Sequence, residues 1–472
     1  MKLNNIQTTD KIGEKVLLKG WVNTIRKMGK IVFVDLRDRS GIVQIVLVPS
    51  ELDKESEQIS KSIKPEYVLE IEGEVQKRGD KQINKELPTG TVEVLAKSVK
   101  ILSESQTPPF EIDNEDRQAN EELRLKYRYL DLRHERMKNN MVKRHQMIKF
   151  FRDNLNDQGF IEVQTPILTK STPEGARDYL VPSRVHQGKF FALPQAPQQY
   201  KQLLMVAGIE KYFQIAPCFR DEDARSDRSP GEFYQLDIEM SFIAQDELLN
   251  LVEKLFTEMV KEVFPEKKIL TSPWPRLTHA EAMGKYKSDK PDLRENKDNK
   301  DELAFCWVID FPLFTDQTKE EEKFVGAGRW APSHNMFTRP KEEDLKLLDK
   351  EPGKVKSYQH DLVLNGFEVG GGALRIYDSK IQEKVFDLIG FDDKQKKQFS
   401  HLLEAFKYGV PPHGGIAHGI DRLLAVILGE KSIKEVIAFP LTSDARDPLM
   451  GAPAKVSKEQ LEELGINLVS RE

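Results

Sequence analysis

The chain has 472 residues, 39% hydrophobic and 32% charged, with a formal net charge of −5. That length exceeds one ordinary core, so two or three domains of a soluble globular protein are expected. No run of eighteen apolar residues exists, MKLNNIQTTDKIGEKV lacks an apolar signal core, and Cys218 and Cys306 are the only cysteines. A membrane span, a secretory signal, a disulfide framework and a tetrahedral zinc site are therefore not expected, and a reducing cytoplasm fits.

Residues 1–104 read as one small β domain. KVLLKGWVNTIR, KIVFVDLRD and GIVQIVLV alternate as strands with Gly-containing turns between them. SELDKESEQISKSI then reads as a helix with Ser50 as its N-cap, and YVLEIEGEVQK and TVEVLAKSVKIL follow as strands. Three strands, a helix and two strands is the order of an OB-fold barrel, with a five-stranded SH3-like barrel as the alternative. Residues 105–130 read as a linker, because SESQTPPFEIDNEDRQANEEL is polar, Pro-containing and poor in apolar residues.

Residues 131–472 form the second domain. The junction is basic: residues 124–152 hold ten Lys/Arg against two acids. That stretch reads either as a solvated helix face or as a phosphate contact. Met141, Met147, Ile148, Phe151 and Leu155 have helical spacing, and Gly159 suits the helix end. FIEVQTPILTK continues as a strand interrupted at Pro166.

Two later segments carry the chemistry. PCFRDEDARSDRSPGEFYQLDIEMSF (217–242) and GIAHGIDRLLAVILG (415–429) each place an arginine among acids and glycines. Two such arginines with carboxylates suit a nucleoside triphosphate and its magnesium, the guanidinium meeting phosphate oxygens and the carboxylates holding the metal. No GxxxxGK[ST], GxSxG, HExxH or CxxC occurs, so neither a P-loop nor a covalent nucleophile is indicated. Between them, DLVLNGFEVGGGALR sets Asp361 and Glu368 seven positions apart across a Gly turn, as a hairpin presenting both carboxylates to one side would. Gly370, Gly371 and Gly372 are expected to leave space for a ligand.

From about Val16 to about Pro453 the chain resembles the class II aminoacyl-tRNA synthetases, of the bacterial aspartyl type, with 217–242 similar to motif 2, 415–429 to motif 3 and the helix–strand–Pro166 unit to motif 1. The resemblance implies an α+β protein: an OB-fold anticodon-binding barrel and an antiparallel sheet flanked by helices. It implies ATP, Mg2+, L-aspartate and tRNA(Asp) as ligands, tRNA(Asn) as a further substrate in the alternative reading, and a homodimer formed through motif 1. Relatives carry a large domain between motifs 2 and 3, where this chain has only the short stretch 287–304.

Residue by residue, the resemblance makes Arg220 the bridge between amino-acid carboxylate and α-phosphate and Arg422 the partner of the γ-phosphate. Asp221, Glu222, Gly419, Ile420 and Asp421 join them around ATP, and Asp361 and Glu368 around the metal. Arg375 and Lys201 fall to the substrate's side-chain carboxylate. Glu174, Gln195, Gln198, Asp237, Gln235 and the His334–Asn335 pair complete its pocket, with Ala196 where a serine is usual. In the barrel, Arg26, Phe33, Gln44 and Glu93 match anticodon contacts, a stacked aromatic with polar base-edge readers. His418 reads as a satisfied core histidine. Asparagine or lysine specificity is the enzymatic rival, opposed by the two cations Lys201 and Arg375; a non-catalytic RNA-binding paralogue is the rival of another class.

Overall fold

Alternation of apolar and polar residues closes the N-terminal strands into a barrel. The computed structural model describes residues 3–113, 119–172, 176–223, 227, 231–318 and 326–469, and the chain divides into two units, Met1–Arg117 and Gln118–Glu472. The first contains β1 (Lys15–Met28), β2 (Ile31–Asp38), β3 (Gly41–Leu47), α1 (Lys54–Ser62), β4 (Val68–Lys77) and β5 (Val92–Ser103). They close in the order β1-β2-β3-β5-β4, with β3 and β5 parallel. Val32, Val34 and Leu36 point into the barrel core, so Phe33 and Asp35 face outward. The cap of α1 is Asp53, whose carboxylate accepts the Ser56 N–H, and not Ser50: an ionised side chain three residues nearer the helix answers the orphan N–H groups.

In the second unit the stretch read as linker holds two short helices, α2 (Glu121–Lys126) and α3 (Arg128–Asp131). They precede α4 (Glu135–Asp157), which ends at Gly159 with φ +80°. Four of the arginines here are paired with acids of the same unit. Arg124 pairs with Asp131 and Glu435, Arg136 with Glu430 and Glu435, and Arg144 with Asp421. Arg128 is almost wholly buried and donates to Asp131 and to the Ile437 and Ala438 carbonyls. Of the two readings of this stretch, these arginines follow neither: they are structural ion pairs facing acids 421–435.

The central sheet has eight strands. With β6 (Ile161–Glu162), β7 (Lys211–Arg220), β8 (Gly231–Ser241), β9 (Arg276–Thr278), β10 (Phe305–Ile309), β11 (Gln359–Leu364), β12 (Phe367–Leu374) and β13 (His413–Gly419), the order is β9-β10-β11-β12-β13-β8-β7-β6. All pairings are antiparallel except those of the two outermost strands. α5 (Gln198–Val206), α6 (Gln245–Val263) and α7 (Ile420–Leu428) complete the frame. Phe151 of α4, Phe256 of α6 and Leu423 of α7 share one core with Leu236 and Ile416 of the sheet. No helix among the described residues is long and apolar enough to cross a membrane.

The triple glycine has a different division of labour from the one expected. A Cβ on Gly370 would lie 2.1 Å from His418 Nδ1, and one on Gly372 would lie 2.1 Å from the Gly415 carbonyl and 2.9 Å from His360 Nε2. Only Gly371 faces the carboxylates. The two fully buried histidines are held neutral, burial pushing both down to about 3. Gly370→Ala should therefore destabilise the second unit by about 1–3 kcal/mol or more through overpacking, whereas Gly371→Ala should cost at most about 1 kcal/mol. Urea unfolding of both variants checks this; equal losses would show that the glycines share one role.

Candidate active site

The β11–β12 hairpin builds one wall. Asn365 and Gly366 both take positive φ, 52° and 87°, as a two-residue hairpin turn requires. Leu362 pairs with Gly370 but Val363 pairs with Glu368, leaving Val369 as the extra residue of a β-bulge. Glu368 and Gly371 are three apart and would face opposite sides of a regular strand; the bulge turns them to the same side. Both carboxylates then converge over Gly371, Asp361 Oδ1 and Glu368 Oε1 each 3.3 Å from where its Cβ would be.

Asp361 is buried, and burial followed by the Glu368 charge pushes its carboxyl well above the usual range, against the pull of Gln359 and Lys290. Two facing carboxylates of this kind fit Mg2+, which takes one or two of them and fills its sphere with phosphate and water oxygens. Among the described residues no cluster of three or more His, Cys, Asp or Glu gathers as a metal centre, so the pair would need those further oxygens.

The floor comes from β8 and β13, with α5 alongside. Asp237 and Glu239 point to one face because they are two apart on β8, and Glu239 fits because its partner in register is Gly415, where a Cβ would lie 2.1 Å from Glu239 Oε2. Four buried charges meet there. Lys201 Nζ is 2.5 Å from Asp237 Oδ1 and 3.2 Å from Glu239 Oε2. Arg375 donates through Nε to Glu239 Oε1 at 3.1 Å and through Nη2 to Oε2 at 3.4 Å. Burial pushes Glu239 up, but Arg375 and Lys201 outweigh it and bring the carboxyl down to about 2. Asp237 is held above the usual carboxylate range by burial, with Lys201 opposing. Its Oδ2 and Arg375 Nη1 are buried without a hydrogen-bond partner.

These walls enclose a cavity of about 480 Å³ lined by Ala196, Gln198, Lys201, Arg220, Glu222, Gln235, Asp237, His334, Asn335, Glu368, Gly371, Arg375, Gly419, Asp421 and Arg422, among others. Arg220 ends β7, stacks 5.1 Å over the Phe233 ring, and has a buried Nε with no partner. Arg422, in the first turn of α7, donates to the Glu368 carbonyl at 2.7 Å and pairs with Asp227 at 3.4 Å. The two arginines predicted from separate segments thus line one cavity. Gln198 donates to Gln202, and Asn335 Oδ1 accepts from the Phe337 N–H and the Thr338 hydroxyl.

Three predicted residues stand apart from the cavity lining, and a fourth lines it with its carboxylate already engaged. The Asp221 side chain is exposed, and its backbone N–H bonds the Arg177 carbonyl outside the cavity lining. The Ile420 side chain is in the hydrophobic core. Asp421 is spent on Arg144 and on the Tyr234 N–H. Gln195 clamps the chain at 176–178, bonding both polar groups of the Ala176 backbone and Asp178 Oδ1. Glu174 lies outside the described residues. Sequence reasoning missed Glu239, although its two-residue spacing from Asp237 on a strand was the available signal.

On the outer face of the barrel, Arg26 donates to Asp35 at 3.1 Å and Gln44 at 3.2 Å, and Gln44 donates to Glu93 at 3.1 Å. Phe33 pairs in register with Arg26 and is partly buried beside this network, outside the core where an unassigned Phe would be expected. Arg78, also missed, is 5% exposed, with Nε 3.7 Å from Glu93 and no hydrogen bond at Nε or Nη2.

The family model described as tRNA synthetases class II (D, K and N) matches residues 120–443, and that of the OB-fold nucleic acid binding domain matches 16–102. The chain is similar to an aspartate–tRNA(Asp/Asn) ligase of Rubrobacter xylanophilus, 42% identical over 581 aligned positions, covering 97% of this chain and 95% of the relative. It is likewise similar to an aspartate–tRNA ligase of Staphylococcus carnosus, 39% identical with 98% of each covered. The aligned positions outnumber the chain's 472 residues, so the Rubrobacter relative carries segments absent here. In fold the chain is similar to asparaginyl-tRNA synthetase from Pyrococcus horikoshii complexed with asparaginyl-adenylate, with a TM-score of 0.73, 24% identity and coverage of 92% and 96%.

The charge lattice makes a stability prediction. Glu239→Gln leaves Lys201 and Arg375 undercompensated and should cost about 3–5 kcal/mol at neutral pH. Because the folded carboxyl lies at about 2 and an unperturbed glutamate at 4.5, its stabilisation is complete above the unfolded value and is lost as pH falls toward 2. The gap between wild type and variant in urea unfolding should therefore narrow from pH 5 to pH 3; a constant gap would contradict the assignment.

Proposed function

The chain belongs to the class II tRNA synthetases of the D, K and N group, and from that membership we propose that it is an aspartate–tRNA ligase. It activates L-aspartate with ATP to aspartyl-adenylate and transfers the aspartyl group to the 3′ end of tRNA(Asp). The observation that carries this reading is the pair of bare buried atoms on the cavity floor, Arg375 Nη1 and Asp237 Oδ2, beside the Lys201 ammonium. The free guanidinium nitrogen, beside the Lys201 ammonium, suits a carboxylate oxygen of an anionic side chain, and the free carboxylate oxygen suits an ammonium. Asparagine would offer one acceptor and two unwanted donors in the same place.

The chemistry needs alignment more than a nucleophile. Arg220 draws the amino-acid carboxylate and the α-phosphate together and neutralises the charge that develops between them, while Arg422 fixes the far end of the triphosphate. Asp361 and Glu368 would hold Mg2+, which when bound supplies charge neutralisation on the phosphate oxygens. The barrel's Phe33, Arg26, Gln44 and Glu93 read the anticodon by stacking and base-edge hydrogen bonds. Exposed Ile161, Ile167 and Leu168 at and beyond the β6 edge support a homodimer through that edge, and the cytoplasm is the compartment in which these substrates meet.

ATP–pyrophosphate exchange dependent on aspartate and independent of tRNA tests the reading; exchange driven by asparagine or lysine instead would sink it. Arg220→Ala should lower kcat/KM by about a hundredfold or more, and near-normal turnover would show that Arg220 is not at the reacting centre. Phe33→Ala should leave exchange intact while weakening tRNA use by about 1–3 kcal/mol; loss of barrel ellipticity would place that ring in the core instead. Met28, exposed at the β1–β2 turn, offers no hydrogen bond to a second base, so tRNA(Asp) should be charged in preference to tRNA(Asn). Equal kcat/KM for both tRNAs would establish the dual specificity for which the Rubrobacter relative is named.

A further inference from the structure

Lys290 belongs to neither motif, yet its Nζ lies 3.1 Å from Glu368 Oε2. The backbone that carries it is held in place. The Lys290 N–H bonds Ser288 Oγ at 3.0 Å, and Pro291 is buried. Asp292 Cβ lies 3.4 Å from where a Cβ of Gly366 would be, so the segment rests on the β11–β12 turn. Arg294 braces Asp292 with side-chain bonds of 3.1 and 2.9 Å and itself donates to the Asn299 carbonyl.

An exposed lysine–glutamate pair ordinarily contributes little. This one is different because of what lies behind it. Glu368 shares its site with buried Asp361, and among the described residues the other groups facing the pair are Gln359, His334, Asp289 and Arg422, the last spending Nη1 on the Glu368 carbonyl. Lys290 is the ammonium set directly on the carboxylate pair. A divalent cation taking the same oxygens would have to displace it, and two ligands that exclude each other weaken each other's binding equally.

We propose that Lys290 is the resident counter-ion of the Asp361–Glu368 pair: it competes with a divalent cation for these carboxylates, and turns to the phosphate oxygens when the cation arrives with a nucleoside triphosphate. The proposal rests on the reading of this cavity as an ATP site. Its consequence is that free metal binds weakly and metal–nucleotide binds well, because only the nucleotide offers the displaced ammonium a new partner. Lys290 is thereby a competitor of the free metal and a direct contact for the triphosphate.

Titration of the full chain with Mn2+, followed by electron paramagnetic resonance, tests this in wild type, Lys290→Met and Lys290→Arg, without and with ATP. Without ATP, Lys290→Met should bind Mn2+ about fivefold more tightly than wild type, as expected for removal of a competing half-exposed charge, and Lys290→Arg should resemble wild type. In pyrophosphate exchange, Lys290→Met should raise KM for ATP with kcat little changed. Lys290→Gln repeats the comparison with a polar chain. Identical Mn2+ affinities of wild type and both neutral variants without ATP, alongside normal binding with ATP, would overturn the counter-ion role alone. Absence of Mn2+ binding in every protein even with ATP would overturn both this role and the ATP-site reading.

Discussion

Four buried charges organise the catalytic unit. Lys201, Arg375, Asp237 and Glu239 come from a helix, from the end of one strand and from the middle of another, and each is expensive to bury alone. Glu239 makes the arrangement tolerable. It occupies two of Arg375's donors and one face of Lys201, so neither side chain is buried without a counter-charge. What remains unmatched is one guanidinium nitrogen and one carboxylate oxygen. A set of ion pairs that is nearly but not wholly satisfied presents its deficit to the ligand, and under the proposed function that donor and that acceptor meet the side-chain carboxylate and the ammonium of aspartate.

The surrounding sheet is built to leave room for this. Gly415 stands opposite Glu239, and Gly370 and Gly372 stand against two neutral histidines, so close strand packing replaces side-chain volume where the charged groups need space. The bulge at Val369 then brings Glu368 to the face of Asp361. The Glu368 end of the cavity is thus set by backbone irregularity and its Glu239 end by regular alternation. The two ends are joined by the β12 strand, which carries Glu368, Gly371 and, just past its end, Arg375.

Much of this was legible in the sequence because strand periodicity and motif spacing are local. The barrel's element order, α4 with its end at Gly159, the Asn365–Gly366 turn and the meeting of Arg220 with Arg422 all follow from residues a short distance apart or from the family pattern. What escaped depends on long-range pairing. The pairing of Arg124, Arg136 and Arg144 with acids 421–435 cannot be seen from either segment alone. Nor can the bulge at Val369, since an extra residue is defined only against its partner strand. Ile420 and Asp421 were carried along by their neighbours in the motif, while the fold turns one into the core and pairs the other with Arg144.

The central claim is that the cavity floor is charged to accept an anionic amino acid. Isothermal calorimetry of the full chain with L-aspartate and with L-asparagine measures that directly. The account predicts saturable binding of aspartate and affinity for asparagine weaker by about a hundredfold or more, since the amide would set donors against Lys201 and Arg375. Comparable affinities for the two amino acids would contradict it.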